Sequence, residues 1–125
     1  MALRTLDKQR AEAAEAICEL LVPGSRRVGS VVYLDAVLTS MPPPVQADVF
    51  AAIDKLAPAA ASGPEALAEH ERTPEFGLLR ALAVEAYYSD FVARDAPGPG
   101  AWAEIDFNSP LATRLDKDWS YLGIA

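Results

Sequence analysis

Proline and glycine interrupt this sequence at short intervals, and between the interruptions the apolar residues recur every three or four positions. The breaks lie at Pro23-Gly24, Met41–Pro44, Ser62–Pro64, Thr73-Pro74 and 96–100. Apolar residues at that spacing line one face of an amphipathic helix, whereas proline cannot continue helical hydrogen bonding and glycine suits a helix end. The pattern therefore predicts an all-α fold, a small bundle of four to five helices with an extended, aromatic-rich C-terminal tail.

The helical segments can be placed from their start and stop signals. A Ser62-x-x-Glu65 capping box and the Thr73-Pro74 pair mark two helix starts, and Pro58–Gly63 has the small residues of a linker. The Val31-Val32 pair would also suit a short strand, but the length of its segment favours a helix. The predicted helices run from about Leu6 to Val22, from Ser25 to Thr39, from Pro44 to Leu56, from the capping box to His70, and from Thr73 to Arg94.

The chain has the size of one domain. Its 125 residues are enough to bury a core, and residues 1–95 are expected to form the helical bundle. Two prolines and two glycines lie within 96–100, which excludes regular structure there. Residues 96–125 are therefore expected to form an irregular tail that leaves the bundle and binds a partner.

The charge of the chain argues against nucleic-acid binding. The formal net charge is −7, and the only basic doublet is Arg26-Arg27. Phosphate binding needs a larger cluster of Lys and Arg. No apolar stretch is long enough to span a bilayer, and no leader is visible, so we expect a cytoplasmic protein and leave an exported form open. Cys18 stands alone in an apolar helical stretch and is expected to be a buried structural thiol.

The motifs that would carry chemistry are incomplete. Gly24–Ser30 has the glycine spacing of a phosphate loop but lacks its lysine, and no dinucleotide-binding fingerprint is present. His70 is the only histidine, so a zinc site would lack ligands. The carboxylates near 106–108 and 116–118 match no calcium loop. We therefore expect no catalytic, cofactor-binding or metal-binding residue in this chain.

Large aromatic residues crowd the last quarter of the chain, outside the periodic helices. Trp and Tyr are enriched at protein interfaces because they bury a large area while keeping a polar group. They could equally fold back onto their own helices, and the sequence leaves both arrangements open. The residues predicted to bind a partner are Tyr87, Tyr88, Trp102, Phe107, Trp119 and Tyr121.

Four short stretches, spread over most of the chain, carry a family resemblance. Residues 16–24 (AICELLVPG) end a helix with a Leu-x-Pro-Gly break, and residues 28–35 (VGSVVYLD) place a small residue before an apolar run with aspartate. Residues 76–90 end in Tyr-Tyr-Ser-Asp, and residues 119–124 (WSYLGI) have a Trp-x-x-Leu-Gly pattern. Together the stretches resemble the gluconate 2-dehydrogenase subunit 3 family, the small subunits of FAD-dependent sugar dehydrogenases.

The resemblance implies a non-catalytic small subunit that binds and stabilises a large FAD-dependent oxidoreductase of the glucose-methanol-choline type. Such a subunit would also help to complete the active site of its partner. FAD would lie in the large subunit, with no cofactor in this chain, and the assembly would be a hetero-oligomer. Two other functions stay open. One is a free-standing small helical enzyme that uses the Tyr87–Asp90 cluster, and the other is a helical adaptor unrelated to redox chemistry.

Overall fold

A computed structural model describes residues 3–105, and every regular element within that range is a helix. The predicted all-α class is confirmed. The described part holds more helices than the four to five expected, because three of them are single turns. The helices are α1 (Lys8–Leu21), α2 (Ser25–Val28), α3 (Ser30–Thr39), α4 (Pro43–Ser62), α5 (Pro64–Ala68), α6 (Pro74–Tyr88) and α7 (Ala101–Glu104). None of them is both long enough and apolar enough to cross a bilayer.

The main core lies where α4 packs between α1 and α6. Val49, Ile53 and Leu56 of α4 are fully buried, at the helical spacing that the sequence predicts for this segment. Burying each such side chain contributes roughly 1.5–3 kcal/mol before the loss of chain entropy is counted. The other buried members of this core are Leu6, Ala14, Ile17, Leu34, Leu38, Ala52, Ala60, Leu67, Phe76, Leu79 and Leu82.

Side-chain caps start two of the long helices. The Asp7 carboxylate accepts a hydrogen bond from the Arg10 amide at 2.8 Å, and the Thr73 hydroxyl accepts one from the Phe76 amide at 3.2 Å. The predicted start at Thr73-Pro74 is confirmed. The predicted capping box at Ser62 is wrong, because Ser62 is the last residue of α4 and its hydroxyl donates to the Pro58 carbonyl.

Helix α4 runs through the segment that the sequence assigned to a linker. Pro58 lies inside the helix, and the chain stays helical to Ser62. Proline removes the hydrogen bond to the carbonyl four residues earlier, here that of Asp54. Both residues are exposed, so solvent can hydrate that carbonyl. Ala60 on the opposite side is buried in the main core, and its packing favours continuation of the helix.

Gly29 divides the predicted Ser25–Thr39 helix into α2 and α3. Its φ of 72° lies in the left-handed region that favours glycine. A Cβ at this position would approach the Cβ of Ala93 to 2.6 Å, because the chain after α6 crosses α2 here. The Ala93 amide donates to the Val28 carbonyl at 2.8 Å, and the Gly98 amide donates to the Arg27 carbonyl at 3.3 Å.

We expect Gly29→Ala to lower the free energy of unfolding by about 2 kcal/mol or more, since it combines a left-handed alanine with a steric clash. Urea denaturation measures the effect. Gly77→Ala is the matched control, because Gly77 lies within α6 and a Cβ there meets nothing within 4 Å. That control should be neutral or stabilising by up to about 1 kcal/mol. A Gly29→Ala variant as stable as the Gly77→Ala variant would contradict the crossing geometry.

Asp35 of α3 anchors the segment before α1. Its carboxylate is buried and accepts hydrogen bonds from three successive backbone amides, those of Arg4 at 2.8 Å, Thr5 at 2.9 Å and Leu6 at 2.8 Å. Burial acts to raise the pKa of Asp35, but the three amides and the nearby Arg4 charge outweigh it, so the pKa lies below its ordinary value. This carboxylate therefore stays ionised at neutral pH and positions Leu6 in the core.

Candidate partner-binding site

The end of α6 lies over a second, smaller core. Its buried members are Cys18, Val22, Val28, Ala83, Tyr87 and Ala101. Tyr87 is the largest of them and is 2% exposed. The backbone of Gly24 passes so close to the Tyr87 ring that a Cβ there would lie 3.0 Å from the hydroxyl oxygen. The Pro23-Gly24 break thus ends α1 and also leaves room for this ring.

Cys18 has the environment that the sequence predicts. Its thiol is buried in the second core, and burial, together with the charges of Glu15 and Glu19, raises its pKa to about 12. A thiol with so high a pKa stays protonated at neutral pH and is a poor nucleophile. The structure confirms a buried structural thiol.

A polar network ties α7 to the bundle. The Tyr87 hydroxyl and the Arg27 guanidinium both donate to the carboxylate of Glu104, and Arg27 also donates to the Tyr87 oxygen at 3.0 Å. Burial and then the hydrogen bond to Glu104 raise the pKa of Tyr87. The same hydrogen bond, followed by that from Arg27, lowers the pKa of Glu104. Tyr87 is therefore neutral and Glu104 ionised at neutral pH, which makes the network a charge-assisted clasp.

The chain returns to the bundle after the proline- and glycine-rich stretch. Residues 96–100 are irregular, as predicted, but Ala101–Glu104 forms a helix and Ala101 is 1% exposed. The expectation that the chain leaves the bundle at residue 96 is therefore wrong for residues 96–105. Asp90, at a φ of 64°, turns the chain after α6, and its carboxylate accepts from the Trp102 amide at 3.2 Å.

Apolar side chains remain exposed beside the clasp. Val84 and Tyr88 lie one turn apart on α6 and are 42% and 53% exposed, and Ile105 is 65% exposed. Trp102 is half-buried, and its indole N–H donates to the Tyr88 carbonyl at 3.1 Å, which brings α7 against this end of α6. Ile105 follows Trp102 by three residues and so lies on the same side of the turn. We call Val84, Tyr88, Trp102 and Ile105 the exposed apolar strip.

The predicted partner-binding residues fall into three groups. Tyr88 and Trp102 lie together in the exposed apolar strip. Tyr87 is buried beneath them, so its predicted role as a contact residue is wrong and its role is to hold α7. Phe107, Trp119 and Tyr121 lie outside the described residues.

Within the Tyr87–Asp90 cluster, the alternative catalytic site, the polar side-chain groups of Tyr87, Ser89 and Asp90 bind separate structural partners. The Tyr87 hydroxyl binds Glu104, the Ser89 hydroxyl donates to the Ala86 carbonyl at 3.2 Å, and Asp90 accepts from the Trp102 amide. Tyr87 is also buried, which keeps a substrate from its hydroxyl. These groups do not converge on one point, as an acid–base or nucleophilic site requires.

Sequence reasoning missed four residues of this region: Arg27, Val84, Glu104 and Ile105. Val84 lies one helical turn before Tyr88, a residue that the sequence did predict to bind a partner, and this spacing was the available signal. Arg27 and Glu104 are far apart in the sequence, and no local pattern joins them. Within residues 3–105, no group of three or more His, Cys, Asp or Glu side chains is placed to hold a metal ion.

No protein-family model, curated protein or solved structure matches the chain. The described fold is a small helical bundle. The polar clasp holds the short helix α7 against it, and the exposed apolar strip lies beside the clasp.

Proposed function

We propose that this protein is a non-catalytic small subunit that binds and stabilises a large FAD-dependent oxidoreductase. The observation that carries the partner-binding part is the exposed apolar strip, where an aliphatic pair flanks Tyr88 and Trp102. Exposed aromatic groups on a rigid helical support lose little entropy on binding, and such groups dominate the binding energy of interfaces. The clasp fixes the strip in one geometry before the partner arrives.

The identity of the partner rests on the sequence resemblance. Residues 16–24, 28–35 and 76–90 resemble the small subunits of FAD-dependent dehydrogenases, and in the fold they place α1, α3 and α6 in one bundle. In this proposal the large subunit holds FAD and carries out hydride transfer. The small subunit covers an apolar surface, supports folding of its partner, and contributes to the active-site entrance.

The experiment is expression of the tagged chain in its native host, followed by purification and mass spectrometry. We expect a large flavoprotein to be recovered with visible flavin absorbance in the complex. Recovery of a partner without flavin would instead favour the adaptor function. Turnover of a substrate by the isolated chain would contradict the non-catalytic assignment.

Variants of the exposed apolar strip test the surface itself. We expect Tyr88→Ala combined with Ile105→Ala to weaken recovery of the partner at least about tenfold, since interface anchors typically contribute 2 kcal/mol or more each. Val45→Ala, which truncates a side chain 39% exposed at the start of α4, is the matched control and should leave recovery unchanged. Circular dichroism of both variants should match the parent. Equal recovery from the strip variant and the control would rule out this surface.

A further inference from the structure

A groove lies beside the first half of α6, between that helix, α5 and the end of α1. It has a volume of about 460 Å³ and is open to solvent. Leu67 and Phe76 lie in its floor and are almost completely buried, and Leu20 and Leu21 form a half-buried wall. The bottom of the groove is therefore apolar and rigid, because its residues belong to packed helices.

Two arginines stand at the edge of this groove. Arg72 and Arg80 both line it and are exposed, and neither guanidinium forms an ion pair or hydrogen bond with another residue of the range 3–105. By contrast, Arg10, Arg26 and Arg27 each pair with a carboxylate. Glu71 is the one carboxylate among the residues that line the groove, so two cationic side chains lie there with one anionic side chain, in a chain whose net charge is −7.

One side of α6 connects the groove to the exposed apolar strip. Arg80, Val84 and Tyr88 are spaced by four residues on α6, so they lie along one side of that helix. A segment lying in the groove could therefore extend along α6 to the strip. An open groove with an apolar floor suits a helix or extended segment better than a small molecule, which needs burial on most of its surface.

We propose that the groove binds an amphipathic segment of a partner protein, with apolar residues on Leu67 and Phe76 and carboxylates on Arg72 and Arg80. The charge complementarity of the two arginines selects an acidic segment over a basic one. This inference rests on the proposed partner-binding function and names the chemistry of the segment that is bound. It does not depend on the partner being a flavoprotein.

The test uses the full chain and two labelled synthetic peptides of about 14 residues, or four helical turns. Both carry Leu at positions i, i+3, i+4 and i+7, with Glu flanking these positions in one probe and Lys in the other. Fluorescence anisotropy at physiological salt measures binding. We expect the Glu probe to bind and the Lys probe to bind at least about tenfold more weakly.

Variants of the two arginines give the decisive comparison. Arg72→Ala combined with Arg80→Ala should weaken the Glu probe about fivefold to tenfold, the effect of losing two exposed ion pairs. Arg72→Glu combined with Arg80→Glu should reverse the preference and favour the Lys probe. Lys8→Glu combined with Arg94→Glu is the charge-matched control at exposed positions away from the groove, and it should retain the original preference.

A further variant blocks the groove without altering the core. Ala68→Glu places a carboxylate at an exposed lining position and should weaken the Glu probe. The proposal is overturned if the Glu probe does not bind below about 1 mM, if the two peptides bind equally, or if the control variant has the same effect as the groove variants. Displacement of the Glu probe by sodium decanoate at a comparable concentration would also overturn it, in favour of a small-ligand site.

These outcomes separate the groove from the proposed function. Peptide binding needs no flavoprotein. If the native-host purification recovers no flavoprotein, binding of the Glu probe would still support the groove proposal. Conversely, if neither probe binds, the groove proposal is rejected, but the prediction that Tyr88 and Ile105 contribute to recovery of the partner is unaffected.

Discussion

Replacing Asp35 with alanine is expected to lower the free energy of unfolding by about 3 kcal/mol. The carboxylate is 5% exposed and holds three backbone amides, one of which belongs to the buried Leu6. Hydrogen bonds to a charged group contribute about 1.5–3 kcal/mol each, and detachment of the N-terminal segment limits the total loss. Urea denaturation followed by circular dichroism at neutral pH measures the effect.

Asp35→Asn separates the charge from the shape of this side chain. The asparagine oxygen can replace the carboxylate oxygen that accepts from Thr5 and Leu6, but its NH₂ group would face the Arg4 amide. We expect a loss of about 1.5 kcal/mol, close to one charge-assisted hydrogen bond. Asp48→Asn, at an exposed position of α4, is the control and should change stability by less than about 0.5 kcal/mol.

Acid should remove the advantage of the aspartate. The pKa of Asp35 is lower in the folded state than its ordinary value of 3.8. Its ionised form therefore contributes stability that is fully present above that value and is lost as the pH falls through the folded-state pKa. The stability gap between wild type and Asp35→Asn should be constant from about pH 7 to pH 5 and shrink below about pH 4. A gap that stays the same at pH 3 would show that the charge of Asp35 is not its source.

The long helices could be predicted from the sequence because their burial is local and periodic. Ile17, Val49, Ile53, Leu79 and Leu82 each follow the apolar spacing, and each is buried. The start of α6 at Thr73-Pro74 could also be predicted, because a capping residue and a first-turn proline act within four residues of each other. These features depend on neighbours in the chain, which a single sequence contains.

The breaks and ends depended on distant contacts. Gly29 separates α2 from α3 because Ala93 packs against it, and these residues are far apart in the sequence. The apolar residues within Phe91–Arg94 continue the pattern of α6, and the sequence therefore predicts a longer helix. In the structure Asp90 turns the chain away after α6, and the Phe91 ring packs against the Tyr33 ring with 5.4 Å between the ring centroids. The sequence alone does not distinguish an aspartate that adopts the left-handed backbone conformation just after a helix from an aspartate inside a helix.

The aromatic residues show the same limit at the candidate site. The sequence placed Tyr87 and Tyr88 together as contact residues, and adjacency gave no reason to separate them. In the structure their rings pack edge to face, with 5.1 Å between the ring centroids. Tyr87 lies in the second core, and Tyr88 is half exposed. The difference arises because Gly24 and Ala101 enclose only Tyr87. Neither neighbour is close to it in the chain.

Tyr87 is the residue whose loss should disturb the candidate site most. We expect Tyr87→Ala to lower the free energy of unfolding by about 3–5 kcal/mol, the usual effect of truncating a buried aromatic side chain. Tyr87→Phe keeps the ring and should cost about 1 kcal/mol or less, because Arg27 and Glu104 stay paired with each other at partly exposed positions. Urea denaturation of the two variants gives both values.

Hydrogen exchange at the Trp102 amide distinguishes the two ways in which Tyr87 could hold α7. If packing of the ring against Ala101 dominates, exchange should accelerate strongly in Tyr87→Ala and little in Tyr87→Phe. If the hydroxyl network dominates, the two variants should accelerate exchange equally and should cost similar stability. We expect the first result, because Ala101 is 1% exposed in the second core whereas the Glu104 side chain is 41% exposed. Exchange unchanged in both variants would mean that Tyr87 does not position α7, and the exposed apolar strip would then need another support.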